Sequence, residues 1–464
     1  MLTFILWGCT PQPPPPPPPA PPDVLLVVMD TVRSDATSAY GYARPTTPQL
    51  AALAASGARF DAAVSPSSWT WPAHGSLLTG RWPWEHGAHF TSAPNALHVG
   101  EDLQIGPLDE GLPTLAEQFS AAGYRSILLS ANPIIGPGSG MERGFDIAEA
   151  MPNDAALVAR AETLLDDPRP LLLVANLFSA HAPFALQPTA WNGPHRALFN
   201  SPSTAPAWVI PFLLPDAVRL FARPTPEALP GVLQINRGDR TVPPEGRALL
   251  RDLYDGEVMA TDYHLSRLLA AVSAQRSGSP FVAVTADHGE LLGEGGLVDH
   301  GRLLTPELID VPLVLAGPGI PAGTVIDKPV VAHALHPTLL DAAGIMPGAD
   351  GSLLSVLRGE EPSWPAISAA WADPYWAEQL GGRFSVGYRS LREGDRLLIR
   401  AESGATRLLD VSGAAAVEVI EPERAAAMEI TLLAASPDLA EFAGTPRTVS
   451  DEMREQLQVL GYVE

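Results

Sequence analysis

Four stretches of strand length constrain the fold more than any other feature of the chain. Val24–Met29 and residues 126–129, 171–174 and 281–284 are apolar at almost every position. None alternates as a strand with one solvated face would. Strands of this composition are buried on both faces, as in a parallel sheet covered by helices. Each is followed within a few residues by a side chain able to do chemistry: Asp30, Asn132, His181 and Asp287. Helical patterns lie between them. Thr47-Pro48-Gln49-Leu50 opens one helix that Gly57 closes, Leu112-Pro113-Thr114-Leu115 leads into another ending at Gly123, and a longer one runs from about Glu245 to Ala274. The expected fold is α/β, a sandwich with a mostly parallel central sheet flanked by helices over residues 23–350. A smaller antiparallel sheet region is expected over 351–464, with strands at 396–399 and 406–409. Residues 202–244 are rich in proline with no clear period, and read as a long insertion or lid near the site.

The apolar stretch Leu2-Thr3-Phe4-Ile5-Leu6-Trp7-Gly8 ends before Cys9, the one cysteine of the chain. It resembles the end of a lipoprotein signal over residues 1–9, which implies an exported, periplasmic or cell-envelope protein tethered to the membrane through Cys9. Residues 10–22 follow as a proline-rich linker, with seven consecutive prolines from Pro13 to Pro19. Such a run adopts an extended polyproline rod that would hold a domain away from a bilayer. One cysteine excludes an internal disulfide framework and a cysteine-based zinc cluster. A net charge of −23, from 29 Lys+Arg and 52 Asp+Glu, would repel a phosphate backbone, so nucleic acid is not an expected partner.

In an open parallel sheet, loops at the carboxyl ends of the strands deliver side chains to one rim. Asp30, His181, Asp287 and His288 are all set there by their positions after apolar runs. Carboxylates with imidazole make a ligand set suited to zinc, manganese, magnesium or calcium. The segment from Ser68 to Gly80 adds a hydroxyl. Thr70 is placed as a helix N-cap, with Pro72 in the first turn and Leu77 and Leu78 anchoring the helix. The helix N-terminus, with free N–H groups and the positive end of the dipole, favours a tetrahedral oxyanion.

These segments together resemble the sulfatases of the alkaline phosphatase superfamily, from Asp23 to the end of the chain. Asp30-Thr31-Val32-Arg33-Ser34-Asp35 is similar to their first metal-binding turn, and Trp69 to Gly80 to their nucleophile segment. Ala180-His181-Ala182-Pro183-Phe184 resembles their substrate-side histidine motif, and Thr285-Ala286-Asp287-His288-Gly289-Glu290 with His300-Gly301 their second metal-binding turn. The chain also departs from the pattern. Thr70 stands where sulfatases have Cys or Ser converted to formylglycine, His74 where they have Arg, and Thr31 in place of an Asp. Threonine cannot yield that aldehyde hydrate, because its β-carbon bears a methyl group. Phosphoethanolamine transferases and nucleotide phosphodiesterases, another branch of the superfamily, use an unmodified Thr.

The resemblance implies a metal-dependent hydrolase of sulfate or phosphate esters with one divalent metal ion. That ion would be calcium or magnesium in a sulfatase-like site, and zinc or manganese in a transferase-like or phosphodiesterase-like one. Asp30, Thr70, Asp287 and His288 are then the metal ligands, Thr70, His181 and His300 the catalytic residues, and His74 and Arg33 substrate-binding. The expected substrate is a small anionic ester or a sulfated or phosphorylated glycan or lipid. Two other readings are a transferase or phosphodiesterase acting on a surface glycan or lipid, and an inactive sulfatase-fold binding protein.

Overall fold

The structure, a computed structural model, describes residues 21–89, 97–99, 103–182, 184, 231–301, 303–372, 377, 382–413 and 415–439. Cys9, the proline run and residues 202–230 of the expected insertion lie outside the described residues.

The central sheet has eight strands: β1 (Val24–Met29), β2 (Ala58–Phe60), β3 (Arg125–Ser130), β4 (Ile147–Ala150), β5 (Leu171–Leu177), β6 (Phe281–Thr285), β7 (Leu313–Ala316) and β8 (Thr324–Ile326). Their order across the sheet is β8-β2-β7-β6-β1-β5-β3-β4. β1 lies at its heart, parallel to β5 and β6, with Leu26 opposite both Val174 and Ala283. All six residues of β1 are buried, which is why the run needs no polar alternate.

Only β7 is reversed, running antiparallel to both β6 and β2. The reversal matters for the site. A parallel neighbour requires a crossover back to the far end of the sheet, whereas an antiparallel neighbour lets the intervening chain begin and end on one rim. The long segment between β6 and β7 therefore stays where Asp287 and His288 emerge.

The helices that matter to the site are α1 (Pro48–Ser56), α2 (Thr70–Thr79), α3 (Leu115–Ala121), α4 (Asp154–Glu162), α5 (Pro244–Gln275) and α6 (Leu335–Ala342). α3 begins with a reciprocal cap, in which Thr114 Oγ1 accepts from Glu117 N and the Glu117 carboxylate accepts from Thr114 N. α1 is capped from outside: Gln49 N and Leu50 N donate to Asp262 of α5, at 2.8 and 2.9 Å. α2 is buried along its whole length, packed against α3 and α6. The expectation that residues 202–244 lack periodic structure is corrected in part, because Gly231–Arg237 forms a helix. Its seven residues are too few to show a period beside so much proline.

A second sheet of five strands, β9 (Ala366–Ala370), β10 (Tyr388–Glu393), β11 (Arg396–Ala401), β12 (Thr406–Asp410) and β13 (Val417–Glu418), is an antiparallel meander. α7 (Pro422–Ala435) buries Met428 and Leu432 against it. Its edge meets the approach to α2. Ala369 N donates to Pro66 O (2.9 Å), Ser67 Oγ to Ala369 O (2.8 Å) and Ser368 Oγ to Ser65 O (2.5 Å). The α/β fold with its smaller antiparallel sheet is as the apolar runs implied. Among the described residues, no helix is long and apolar enough to cross a membrane.

Candidate active site

Three adjacent strands, β6, β1 and β5, carry the centre of the site. Asp30 follows β1 directly and is fully buried. Its Oδ2 accepts from Asn132 Nδ2 (2.9 Å) and Asn176 Nδ2 (3.1 Å), while Oδ1 accepts no hydrogen bond. Asp287 follows β6. Its Oδ1 accepts from Thr31 N (3.1 Å) and His288 N (2.9 Å), and its Oδ2 likewise accepts none. Thr31 reaches that bond in a left-handed conformation, φ 59°, which costs a β-branched residue energy. The turn is held by Tyr254, whose hydroxyl donates to Thr31 O (2.7 Å) and accepts from Arg33 N (2.9 Å).

His288 is oriented by its own backbone neighbourhood. Its Nδ1 pairs with Gly289 O at 2.9 Å, so the proton sits there and Nε2 presents its lone pair. That nitrogen lies 3.1 Å from Thr70 Oγ1 and 3.4 Å from Asp287 Oδ2. Gly289 allows the close approach, since a Cβ there would meet Glu307 O at 2.0 Å. Asp30, Asp287 and His288 bring one ligand atom each within 4.8 Å of one another. Burial, with Asp30 alongside, pushes the Asp287 carboxyl well above its ordinary range, and burial, with His300 alongside, holds the His288 imidazole well below its own.

Thr70 is not the N-cap that the sequence suggested. Trp69 occupies that position, and Thr70 is the first residue of α2. A capping hydroxyl would turn back to the helix's own N–H groups, whereas this one turns to His288. One helical turn on, His74 pairs through Nδ1 with Thr70 O (3.0 Å) and lies 3.6 Å from Asp287 Oδ2. It is thus on the carboxylate side of the site, and burial lowers its pKa.

His181 and His300 close the cluster. The His300 ring lies 4.4 Å from that of His288 and 4.9 Å from that of His181, centroid to centroid, and His181 stacks on Phe178. Burial lowers His181. Burial also opposes charge on His300, but Glu290 and Asp299 outweigh it and lift the imidazole to about 9. Arg33 is engaged elsewhere: its guanidinium donates to both Asp35 oxygens (2.8 and 2.7 Å), to Glu290 O (3.0 Å) and to Glu294 (2.7 Å). It braces the loop that follows His288.

The sequence alone did not single out Asn176 or Asp299, and it placed Glu290 in the second metal-binding turn without a role of its own. Asn176 left a signal, an amide inside the otherwise apolar, fully buried strand β5, where a polar group must find a partner. Asp299 left none, and the motif around Glu290 gave it no partner, because both depend on a hairpin pairing.

The sequence profile of the family described as Sulfatase matches residues 22–345. Among curated proteins, the chain is 32% identical over 134 residues to the delta 4,5-hexuronate-2-O-sulfatase of Bacteroides thetaiotaomicron, 27% of each chain. The first three curated relatives are matched over only 16% to 27% of their own lengths. Among solved structures, a 2-O GAG sulfatase superposes with a TM-score of 0.64 at 19% identity, covering 94% of this chain and 96% of the other. A phosphonate monoester hydrolase from Silicibacter pomeroyi does so with a TM-score of 0.62 at 20% identity, covering 88% and 93%. At these identities the superpositions speak to the fold.

Proposed function

The chain belongs to the sulfatase family, and on that premise we propose that it is a metal-dependent hydrolase that opens a sulfate or phosphate ester through a covalent intermediate on Thr70. The observation that carries this reading is the meeting of Thr70 Oγ1 and His288 Nε2 at 3.1 Å, beside two buried carboxylate oxygens, Asp30 Oδ1 and Asp287 Oδ2, that accept no hydrogen bond. Two buried carboxylates and an imidazole lone pair converging on one point suit a divalent cation, and Asp30, Asp287, His288 and Thr70 would hold it. Such an ion supplies positive charge against the developing alkoxide and the ester's oxygens, an effect that for bound water lowers the pKa from about 15.7 to about 7.

The chain's own residues do the rest. With its hydroxyl proton already passed to water, Thr70 Oγ1 attacks sulfur or phosphorus, and the bond to the leaving alcohol breaks as the bond to Oγ1 forms. His300 is placed to give its proton to the departing oxygen. A water then displaces Thr70, losing a proton to an imidazole of the same cluster, and inorganic anion is released. His181, held neutral by burial, is suited to that second proton transfer. The names of the relatives, a hexuronate sulfatase and a 2-O GAG sulfatase, support a sulfated sugar as the substrate class. Thr70 itself favours a second reading, a phosphoryl or phosphonyl ester, because an unmodified hydroxyl replaces the formylglycine of true sulfatases.

The test uses the metal-loaded full chain against aryl sulfate, phosphate monoester, phosphodiester, phosphonate and sulfated disaccharide, beside Thr70→Ala. Loss of the nucleophile is expected to lower kcat on the order of 10³-fold or more, and a quenched reaction should show the adduct on the peptide containing Thr70. Released inorganic anion marks hydrolysis, and a modified acceptor marks transfer. If Thr70→Ala keeps the parent rate on every substrate that the parent turns over, the reading is wrong.

A further inference from the structure

The chain that leaves His288 folds at once into a small hairpin, in which Leu291 pairs with Asp299 and Leu292 with Val298. One step further out, the same antiparallel register sets Glu290 across from His300. The side chains meet accordingly. Glu290 is buried, and its two carboxylate oxygens lie 3.2 and 3.4 Å from His300 Nδ1. The Asp299 carboxylate stands 3.4 Å from that same nitrogen, delivered by a left-handed backbone at φ 75°. An ionised carboxylate only accepts hydrogen bonds, so the nitrogen facing two of them carries a proton and donates it.

The hairpin is braced from both sides. Arg33 donates to Glu290 O (3.0 Å) and to Glu294 (2.7 Å), and Glu294 accepts from Leu292 N (2.6 Å). On the other strand Asn236 grips Val298 with two bonds of 3.0 Å, one from its amide nitrogen to Val298 O and one from Val298 N to its oxygen. A loop needing no fixed orientation would not require a guanidinium and a buried amide to hold it.

We propose that Glu290, seconded by Asp299, is a positioning residue for His300: it keeps the proton on Nδ1 and sets the ring so that Nε2 serves the oxygen that leaves as Thr70 attacks. This rests on the hydrolase reading above. In the step itself Thr70 Oγ1, its own proton already passed to water, bonds to sulfur or phosphorus, the bond from the leaving oxygen breaks as that oxygen takes the Nε2 proton, and the Nδ1 proton stays between His300 and Glu290. Glu290 touches no substrate and acts only through His300.

The consequence is a dependence on the leaving group. An ester whose alcohol departs readily as an anion needs little help, while an alkyl or sugar ester needs the proton. Metal-loaded parent, Glu290→Gln, Asp299→Asn and His300→Gln are compared on a series from nitrophenyl to alkyl esters, with bound metal measured in each. Glu290→Gln is expected to keep the parent's metal content, to lose less than about 3-fold on the nitrophenyl ester and about 100-fold or more on the alkyl ester, within the range of general acid catalysis. An equal loss across the series means a structural role only and overturns the proposal. NMR of isotope-labelled histidine, assigned with His300→Gln, reads the geometry without turnover. The parent should show His300 protonated at Nδ1, and Glu290→Gln should lose that signal. A parent whose Nδ1 carries no proton sinks the proposal whatever the kinetics. A fully active Thr70→Ala, by contrast, removes the hydrolase reading and leaves the NMR result standing.

Discussion

Asp30 and Asp287 are buried side by side, each with one oxygen in hydrogen bonds and one without. Burial and the neighbouring Asp30 raise the Asp287 carboxyl well above its ordinary value, so in the metal-free chain its ionised form works against folding. A carboxyl raised in the folded state contributes stability at low pH that is lost as pH rises through its folded pKa. Asp287→Asn is therefore expected to melt higher than the parent at pH 7 in chelator and to gain nothing when divalent metal is added, whereas the parent should gain several degrees. Melting curves with and without metal check both signs, and a parent indifferent to zinc, manganese, magnesium and calcium would count against the ligand set. Tyr254→Phe leaves Thr31 O and Arg33 N without the hydroxyl that joins them. About 1–3 kcal/mol of destabilisation is expected from the unsatisfied pair, measured by denaturant unfolding. Asp30, Asp287 and His288 were legible in the sequence because strand ends place them whatever the details. The direction of the Thr70 hydroxyl was not legible, because it is decided by His288, far along the chain, and Arg33 joins its near neighbour Asp35 to Glu290 and Glu294, which only the fold brings beside it.

α2 presents the same contrast at the scale of an element. Its existence and length follow from Pro72, the leucine pair and Gly80, but its complete burial follows from what lies behind it. There His86 and His336 are both pushed down to about 3 by burial, and His333, buried without a hydrogen bond at either nitrogen, lies well below its usual value. The His86 ring fits so closely that a Cβ at Gly75 would lie 2.7 Å from it. An imidazole depressed in the folded state contributes stability fully present above its unfolded pKa, about 6.5, and lost as pH falls toward the folded value. Acidification below about 6.5 should thus loosen the back of α2 before the rest of the core. The environment of Trp82 and Trp364, which pack on His333, reports it through fluorescence. His336→Gln removes one of the three groups and should move the acid midpoint lower, with bound metal at pH 8 unchanged. An unmoved midpoint would place the acid sensitivity elsewhere. No pattern in the chain announces this histidine group, since His333 and His336 share one segment while His86 comes from a distant one.

For the whole molecule the question is whether the two sheets unfold as one. The apolar runs made the large sheet and the small one legible separately, yet nothing in their composition said where they touch. Their contacts include the segment leading into α2, through Ser65, Pro66 and Ser67, and an ion pair between Arg392 of β10 and Asp310 beside β7, 2.8 Å apart and mostly buried. Burial raises the Asp310 carboxyl and Arg392 works against that rise, so removing the arginine leaves a buried charge without its counter-charge. Arg392→Ala is expected to cost about 3–5 kcal/mol. Because the small sheet is hydrogen-bonded to the segment that delivers Thr70, the loss should appear as one lowered calorimetric transition, with metal affinity and turnover falling together. Two separated transitions, the large sheet keeping the parent's midpoint and its metal, would mean that the small sheet is an appendage and that the nucleophile segment is positioned by the large sheet alone.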